Sequence, residues 1–272
     1  MVFVGDLGDE DLEIVEAIDA LQVEKVVILG NHDAWQSFSN RRPTRRLLDM
    51  VEQLGEDHLG YGLRDLDRAR VSLVGGRPFS WGGKDLRSPE VYGEFYGVHS
   101  AEESAQLIVE TADRAKYRDL VIIAHNGPYG LSDSARSIYG KDFGRRPGGD
   151  WGDRDLEAAI EQVEARGKRV RAVIAGHMHD RLHAQVGGLR ERFVRRRHTS
   201  FINPAVVPRI RHSEAGGLRH YVRASFAAGD LEAGLEEIWV DGEGQVRERF
   251  SPRFAERSRG SRSKRRHAEG GH

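Results

Sequence analysis

Four short apolar segments of the chain are each followed by side chains that can bind a metal ion. The segments and the residues that follow them are Val2–Val4 with Asp6, Val26–Leu29 with Asn31-His32-Asp33, Leu120–Ala124 with His125, and Ala172–Ala175 with His177 and His179. Carboxylate or amide oxygens and imidazole nitrogens suit divalent ions such as Mn²⁺, Fe and Zn²⁺. Because open α/β sheets place their ligands at the carboxyl ends of the strands, we predict that these side chains meet at one edge of a sheet.

Each of these positions also has an ordinary explanation when it is taken alone. Asp6 is suited to capping a helix, the Asn31–Asp33 run is typical of a polar turn, and His125 can be a hydrogen-bonded histidine at the edge of the core. His177 and His179 are more specific, because two side chains that are two residues apart in extended chain point to one side. The occurrence of all four runs at strand ends, in this order, favours a metal centre.

The composition excludes several other kinds of site and protein. The chain has 272 residues, 38% of them apolar, and a formal net charge of −1, so it can bury a full core but has no global field to hold nucleic acid or an anionic membrane. It contains no cysteine, which excludes disulfides, thiolate metal sites and cysteine nucleophiles. Apolar runs such as residues 25–29 are far shorter than the roughly 20 residues that cross a bilayer. Acidic residues from Asp6 to Asp11 interrupt any signal peptide. We predict a soluble, cytoplasmic protein with no membrane partner.

Strand and helix patterns alternate along most of the chain, which is typical of an α/β fold. A helical pattern lies between the first two apolar segments. Ser100 and Glu103 form a capping box that begins a predicted helix over residues 101–116, and another helix is predicted over residues 153–166. The remaining part is richer in strand patterns. We predict one domain over residues 1–250.

Residues 251–272 differ from the rest of the chain in composition. They include seven Lys or Arg, two Glu and only Phe254 as a large apolar residue, a composition typical of disorder. We predict a disordered basic tail that keeps the protein in solution. A weak contact with nucleic acid or with an acidic partner is the alternative, and nucleic acid is otherwise not an expected partner.

The order of the motifs Gly-Asp-x-x-Asp, Gly-Asn-His-Asp, His and Gly-His-x-His resembles that of the calcineurin-like metallophosphoesterase superfamily, over about residues 2–240. Within it, the segments Gly55–Gly62 and Gly75–Gly83 are similar to those of an uncharacterised cyanobacterial and plant-type group. The resemblance implies an α/β (α+β) fold, in which a β-sandwich of two mixed sheets is flanked by helices. It also implies hydrolysis of a phosphomonoester or phosphodiester by attack of metal-activated water.

The resemblance further implies two divalent metal ions, with Mn²⁺ favoured over Fe and Zn²⁺. The residues that match metal ligands are Asp6, Asn31, His125, His177 and His179. His32 matches the catalytic imidazole that protonates or stabilises the leaving oxygen, and Asp33 matches the carboxylate that orients this imidazole. Asn203 and Arg209 are candidates for binding the phosphate-ester substrate at the edge of the pocket, although turn residues need no such function.

One element of the superfamily has no match in this sequence. Members begin with a further strand that ends in Asp-x-His and supplies two ligands to the metal that His179 binds, whereas only five residues precede Asp6. We predict that this first strand is missing, that one metal site is depleted of ligands, and that the natural start lies upstream of Met1. The alternative is a catalytically impaired relative that keeps the fold as a scaffold for protein partners. Retention of His32 with Asp33 favours the enzyme.

Two tryptophans lie close in sequence to the metal-binding motifs. Trp35 follows the Asn31–Asp33 run, and Trp81 lies in the Gly75–Gly83 segment. Tryptophan side chains pack in cores and also stack on planar ligands, so both interpretations stay open for this pair.

Overall fold

The computed structural model describes residues 1–142, 148–184, 186–213, 216–226 and 233–257. The helices in these ranges are α1 Leu12–Asp19, α2 Trp35–Asn40, α3 Arg45–Leu54, α4 Pro89–Tyr96, α5 Ala101–Asp113 and α6 Arg154–Ala165, with short 3₁₀ turns at His32–Ala34 and Gly55–Asp57. Over the same ranges, every helix is too short or too polar to traverse a lipid bilayer.

The strands are short and alternate with these helices in the first two thirds of the chain. They are β1 Val2–Phe3, β2 Val26–Val27, β3 Leu63–Leu66, β4 Val71–Gly75, β5 Asp119–Ile123, β6 Arg169–Ile174, β7 Phe193–Arg196, β8 Thr199–Ile202, β9 Ile210–Ser213, β10 Gly216–Phe226, β11 Ala233–Val240, β12 Val246–Phe250 and β13 Ala255–Glu256.

Within the described ranges the strands form one large sheet, one smaller sheet and a separate pair. The large sheet has the order β13-β7-β8-β6-β5-β4-β3, and the smaller one has the order β12-β11-β10-β9. At the centre of the large sheet β4, β5, β6 and β8 pair in parallel, and β1 pairs in parallel with β2. The backbone N–H of Leu59 donates to Val27 at 2.8 Å, and that of Tyr61 donates to Gly76 at 3.2 Å, so this short segment joins the β1–β2 pair to β4.

The large sheet is buried on both faces. Val121 and Ile123 of β5 face an apolar cluster that also contains Leu235 of the smaller sheet. The alternate residues Leu120 and Ile122 belong to a second cluster, which is formed with α5 and α6. Because successive side chains of a strand point to opposite faces, a strand covered on both sides must be apolar throughout. The result is a β-sandwich with helices packed on its outer face, which confirms the predicted fold class.

Some details of the fold differ from the sequence expectations. Every described pairing in the smaller sheet is antiparallel, so this sheet is not mixed. Its neighbours in the sheet are also consecutive strands of the chain, the arrangement typical of antiparallel sheets. The predicted capping box is confirmed: Ser100 Oγ accepts from Glu103 N at 3.1 Å, and Glu103 Oε2 accepts from His99 N at 2.6 Å. The helix that it begins ends at Asp113, three residues before the predicted end.

The start of the predicted tail is ordered. Residues Ala255–Glu256 pair in parallel with β7, and the ring of Phe254 lies 6.4 Å from that of Phe193 and 4.5 Å from the guanidinium of Arg195. Phe254 supplies apolar area, and the edge of β7 supplies unpaired backbone groups, so the predicted tail boundary at residue 251 is too early. The remainder of the predicted tail, residues 258–272, lies outside the described residues.

Candidate metal centre

The turn after β1 places Asp6 beside the turn after β2. Gly5 has a φ of 90° and Asp6 a φ of 54°, so both lie in the left-handed region. A Cβ atom at Gly30 would lie 2.4 Å from Asp6 Oδ1, and one at Gly5 would lie 2.5 Å from both Gly30 N and His125 Nδ1. Two glycines are therefore needed for the loops to approach this closely. A non-glycine residue with positive φ is strained, and such strain clusters at functional sites.

Asp33 fastens these two turns together. Its Oδ1 accepts hydrogen bonds from the backbone N–H groups of Leu7 at 2.7 Å and Gly8 at 3.0 Å, and its Oδ2 accepts from Gly30 at 2.7 Å. Burial raises the pKa of Asp33 to about 6, against the opposing effect of these backbone N–H groups. The carboxylate thus holds the loop that carries Asp6 against the loop that carries Asn31.

Four lone-pair donors converge at the edge of the sheet. His125 is fully buried and donates from Nδ1 to the carbonyl of Val4 at 2.7 Å, which leaves a lone pair on Nε2. Around this Nε2 lie Asn31 Oδ1 at 2.9 Å, His177 Nδ1 at 3.2 Å and Asp6 Oδ1 at 3.3 Å. The ligand atoms of Asp6, His125 and His177 all lie within 4.8 Å of one another. The structure therefore brings together four of the five predicted metal ligands.

The electrostatics of this group fit a divalent cation. Burial raises the pKa of Asp6, but the effects of His125 and His177 and the backbone N–H of His32 outweigh it and leave the pKa lowered. Burial, together with the neighbouring His125, lowers the pKa of His177 to about 3. At neutral pH Asp6 therefore carries a negative charge and His177 is uncharged. A divalent cation is the species that such a donor set binds.

His32 lies next to this group but does not join it. Its backbone N–H donates to Asp6 Oδ1 at 3.1 Å, while its imidazole is 49% exposed and has Nδ1 3.1 Å from Asp9 Oδ1. The expected pairing of His32 with Asp33 is therefore corrected, because Asp33 is occupied by backbone N–H groups and Asp9 is the carboxylate beside the ring. Asp9 lies in the same Gly-Asp-x-x-Asp run as Asp6, so the motif contains a signal for this pairing.

His179 and Arg209 lie on the exposed side of the centre. His179 is exposed and lies outside the convergent group. Partial desolvation lowers the pKa of His179, and the charges of His32 and Arg209 lower it further, against the opposing effect of Asp6. The side chain of Arg209 is exposed. These two residues are therefore close enough to interact electrostatically and are accessible to an anionic ligand.

Asn203 has a different environment from the one expected of a substrate-binding residue. Its side chain is fully buried, donates from Nδ2 to the carbonyl of Met178 at 2.5 Å and accepts at Oδ1 from Ala205 N at 3.0 Å. Both ends of the amide are thus bonded to backbone. Asn203 holds the turn between His177 and His179, which corrects its predicted contact with substrate.

A second polar cluster, missed by the sequence analysis, lies directly behind His125. We call it the Arg77 cluster; it consists of Arg77, Asn126, Asp153 and Asp155, all buried. Arg77 Nη2 lies 2.8 Å from Asp153 Oδ1, and Arg77 Nε lies 3.0 Å from Asp155 Oδ2. Asn126 donates from Nδ2 to Asp153 Oδ1 at 3.2 Å. Because Asn126 follows His125 in the chain, the cluster fixes the backbone that carries a central metal ligand.

Comparison with known proteins agrees with this geometry. A sequence model of the family described as calcineurin-like phosphoesterase matches residues 1–181. The matched range contains every residue that was predicted to bind metal, and it excludes Asn203 and Arg209. A search of curated proteins finds no match to the chain.

Proposed function

We propose that this chain, which belongs to the calcineurin-like phosphoesterase family, hydrolyses phosphomonoesters or phosphodiesters with two divalent metal ions as cofactors. The observation that carries the proposal is the convergence of Asp6, Asn31 and His177 on the lone pair of His125 Nε2. Carboxylate and amide oxygens together with imidazole nitrogens, gathered at this spacing, form a ligand set that suits a divalent cation. The family membership supports a phosphate ester as the substrate.

The proposed ligand sets share Asp6. Asn31, His125 and His177 complete the set for one ion, whereas the other ion would have only Asp6 and His179, which is the depleted site predicted from the sequence. At such a centre divalent ions neutralise phosphoryl oxygens and activate water. Oxygen and imidazole donors without thiolate are compatible with Mn²⁺, which we favour, and with Fe and Zn²⁺.

The protein's own contribution to bond cleavage is proposed to come from His32. Its ring is exposed next to Asp6, and Asp9 at Nδ1 fixes its orientation. Nε2 then donates a proton to the leaving oxygen of the ester, in the manner of a general acid. The exposed cation of Arg209 beside His179 is proposed to attract the anionic substrate. Asp33 supports the site by holding the two turns together.

The test combines metal binding with turnover in matched variants. Purified protein is loaded with Mn²⁺, Fe²⁺ or Zn²⁺, desalted and analysed for metal, and p-nitrophenyl phosphate and bis(p-nitrophenyl) phosphate are offered as monoester and diester. We expect bound metal and hydrolysis in the parent chain, loss of both in His125→Ala, and retention of both in His198→Ala, a control histidine that pairs with Glu164 away from the centre.

The two remaining outcomes separate the proposal from its alternative. Bound metal without hydrolysis of either ester would favour the scaffold for protein partners. Equal metal content in the parent chain and in His125→Ala would overturn the assignment of the centre itself. The cytoplasmic location and the weak nucleic-acid contact of the tail stay predictions.

A further inference from the structure

Three side chains next to His32 form an aromatic surface that the proposed hydrolysis does not use. We call Trp35, Trp81 and Arg87 the aromatic shelf. The Trp35 ring lies 5.2 Å from that of His32 at an interplanar angle of 24°, and 5.0 Å from that of Trp81 at 43°. The guanidinium of Arg87 lies 3.8 Å from the centre of the Trp81 ring. The shelf therefore runs outward from the candidate catalytic imidazole.

The two tryptophans have different surroundings. Trp81 is partly buried against the main apolar cluster, and its ring lies 6.2 Å from that of the buried Phe38. Trp35 is 44% exposed, although it contacts both His32 and Trp81. Core packing therefore accounts for Trp81, whereas nearly half of the Trp35 side chain stays accessible to a ligand.

The position of Trp35 relates this surface to the reacting group. The backbone N–H of His32 donates to the proposed metal ligand Asp6, and the His32 ring stacks on Trp35. A phosphoryl group at the metal centre would place its leaving group on the side of His32, because His32 is the proposed proton donor. A planar leaving group would then lie against Trp35. Arg87 adds N–H donors and a positive charge at the outer end of the shelf.

We propose that the aromatic shelf binds a planar aromatic group of the substrate, so that the preferred substrates are phosphate esters that carry a nucleobase or an aryl ring. This inference rests on the proposed function and specifies its substrate class. Stacking of a planar ring on an aromatic side chain contributes about 5- to 150-fold in affinity per ring. The shelf therefore discriminates esters by the ring that they carry and not by the phosphate.

The first experiment compares esters with and without a ring. The ratio of kcat/KM for adenosine 5′-monophosphate or phenyl phosphate to that for glycerol 3-phosphate is measured in the Mn²⁺-loaded protein. We expect Trp35→Leu to lower this ratio by about 5- to 150-fold, Trp35→Phe to retain most of it, and the distant Trp239→Leu to keep the parent ratio. A loss confined to the adenine ester identifies a nucleobase, and a loss shared by both ring-bearing esters identifies any planar ring. An unchanged ratio in Trp35→Leu would overturn the proposal.

The second experiment does not depend on turnover. Adenosine 5′-monophosphate and phenyl phosphate are titrated into the metal-free parent chain, Trp35→Leu and Trp239→Leu while tryptophan fluorescence is recorded. Saturable quenching in the parent and in Trp239→Leu, lost in Trp35→Leu, supports the shelf even if no ester is hydrolysed, in which case the proposed function fails alone. Absence of saturable quenching by either ligand in the parent chain contradicts the shelf while leaving hydrolysis to be judged by its own assay.

Discussion

Two polar clusters lie back to back in this molecule, and they balance charge in different ways. His125 belongs to the candidate metal centre and the next residue, Asn126, to the Arg77 cluster. In the Arg77 cluster a guanidinium lies between two carboxylates, so the chain supplies its own cation. In the metal centre a carboxylate and an amide oxygen face two imidazole nitrogens. The comparison indicates that the Arg77 cluster pairs its carboxylates with a cation of the chain itself. The candidate metal centre is instead suited to binding an ion from solution.

The two clusters also differ in their access to solvent. Arg77 is 3% exposed and Asp153 is 1% exposed. Ser80 and Ser104 donate further hydrogen bonds to the carboxylates, at 2.8 Å to Asp153 and 2.5 Å to Asp155. Beside the metal centre, by contrast, His32 and His179 are exposed. A buried cluster of ion pairs is suited to fixing a backbone, whereas a centre open on one side can admit a ligand.

The largest expected effect is on the open centre. Asp6→Ala removes the only negative charge among the four converging groups, and we expect the affinity for Mn²⁺ to fall by more than about 100-fold, the upper value for changes beyond the direct ligands. Hydrolysis should be lost with the metal. Titration of metal-free protein measures the first effect and an ester assay the second. Asp113→Asn, an exposed carboxylate paired with Arg166, is the control, and equal Mn²⁺ affinity in Asp6→Ala and the control would contradict the ligand role.

His32→Ala should separate chemistry from metal binding at the same centre. Because the ring contacts Asp9 and Trp35 rather than the converging donors, we expect metal content to be retained while turnover falls by about 10²- to 10⁴-fold, the usual contribution of a general acid. Elemental analysis and kcat are measured on the same preparation. A loss of metal that matched the loss of turnover would show that His32 acts through the ion site.

Two carboxylates provide the control for the orientation of His32. Asp9→Asn should lower kcat by about 10- to 100-fold, as expected for a partner that orients an active imidazole. Asp33→Asn should instead lower the free energy of unfolding by about 1–3 kcal/mol, because a buried acceptor of three backbone N–H groups is altered. Reversal of these two results would restore Asp33 as the orienting residue.

The next effect concerns the closed cluster. Arg77→Met leaves two buried carboxylates without their cation, and we expect the free energy of unfolding to fall by about 3–5 kcal/mol. Urea unfolding of the parent chain and of Arg77→Met measures the difference in the free energy of unfolding. This difference should be the same with and without Mn²⁺. Arg166→Met breaks an exposed pair with Asp113 and should cost at most about 1 kcal/mol. Full rescue of Arg77→Met by Mn²⁺ would show that the two clusters are not distinct.

The sequence predicted the open centre better than the closed cluster for a physical reason. Asp6, His125 and His177 each follow an apolar strand of a parallel arrangement, so local patterns were sufficient to place them at one edge. Arg77 pairs with Asp153 and Asp155, which are more than seventy residues away in the sequence. A local sequence pattern cannot predict a contact at this separation. The partner of His32 was missed because the left-handed turn at Asp6 directs Asp9 toward the ring.

The fold class was also predicted correctly, whereas the order of the segment around Phe254 was not. The alternation of strand and helix patterns along the chain predicted an α/β fold, and the capping box at Ser100 predicted where one helix begins. The β-sandwich was implied by the resemblance to the metallophosphoesterase superfamily, because no local pattern shows how two sheets pack together. Phe254 and the strand at Ala255–Glu256 were assigned to a disordered tail, since their order depends on the exposed edge of β7, which a reading of local composition does not contain.

A third polar group, the partly buried His58, tests desolvation without a charged partner. Its Nε2 lies 2.8 Å from Tyr96 Oη and its ring stacks near Phe79. Burial lowers the pKa of His58 to about 4, against a weaker opposing effect of the Val27 backbone. Because the folded pKa lies below the unfolded value of about 6.5, the unfolded chain takes up the proton first. The stability held above pH 6.5 is therefore lost as the pH falls toward 4.

Between pH 7 and 4.5 this loss should amount to about 2–3 kcal/mol in the free energy of unfolding of the metal-free chain. In His58→Gln the side chain does not titrate, so the acid loss should be smaller by that amount, whereas His198→Gln should follow the parent chain more closely. Urea unfolding at the two pH values gives the differences. Parallel acid dependence of the parent and His58→Gln would mean that the acid sensitivity arises elsewhere, and His177, whose pKa burial lowers to about 3, would be the next group to replace.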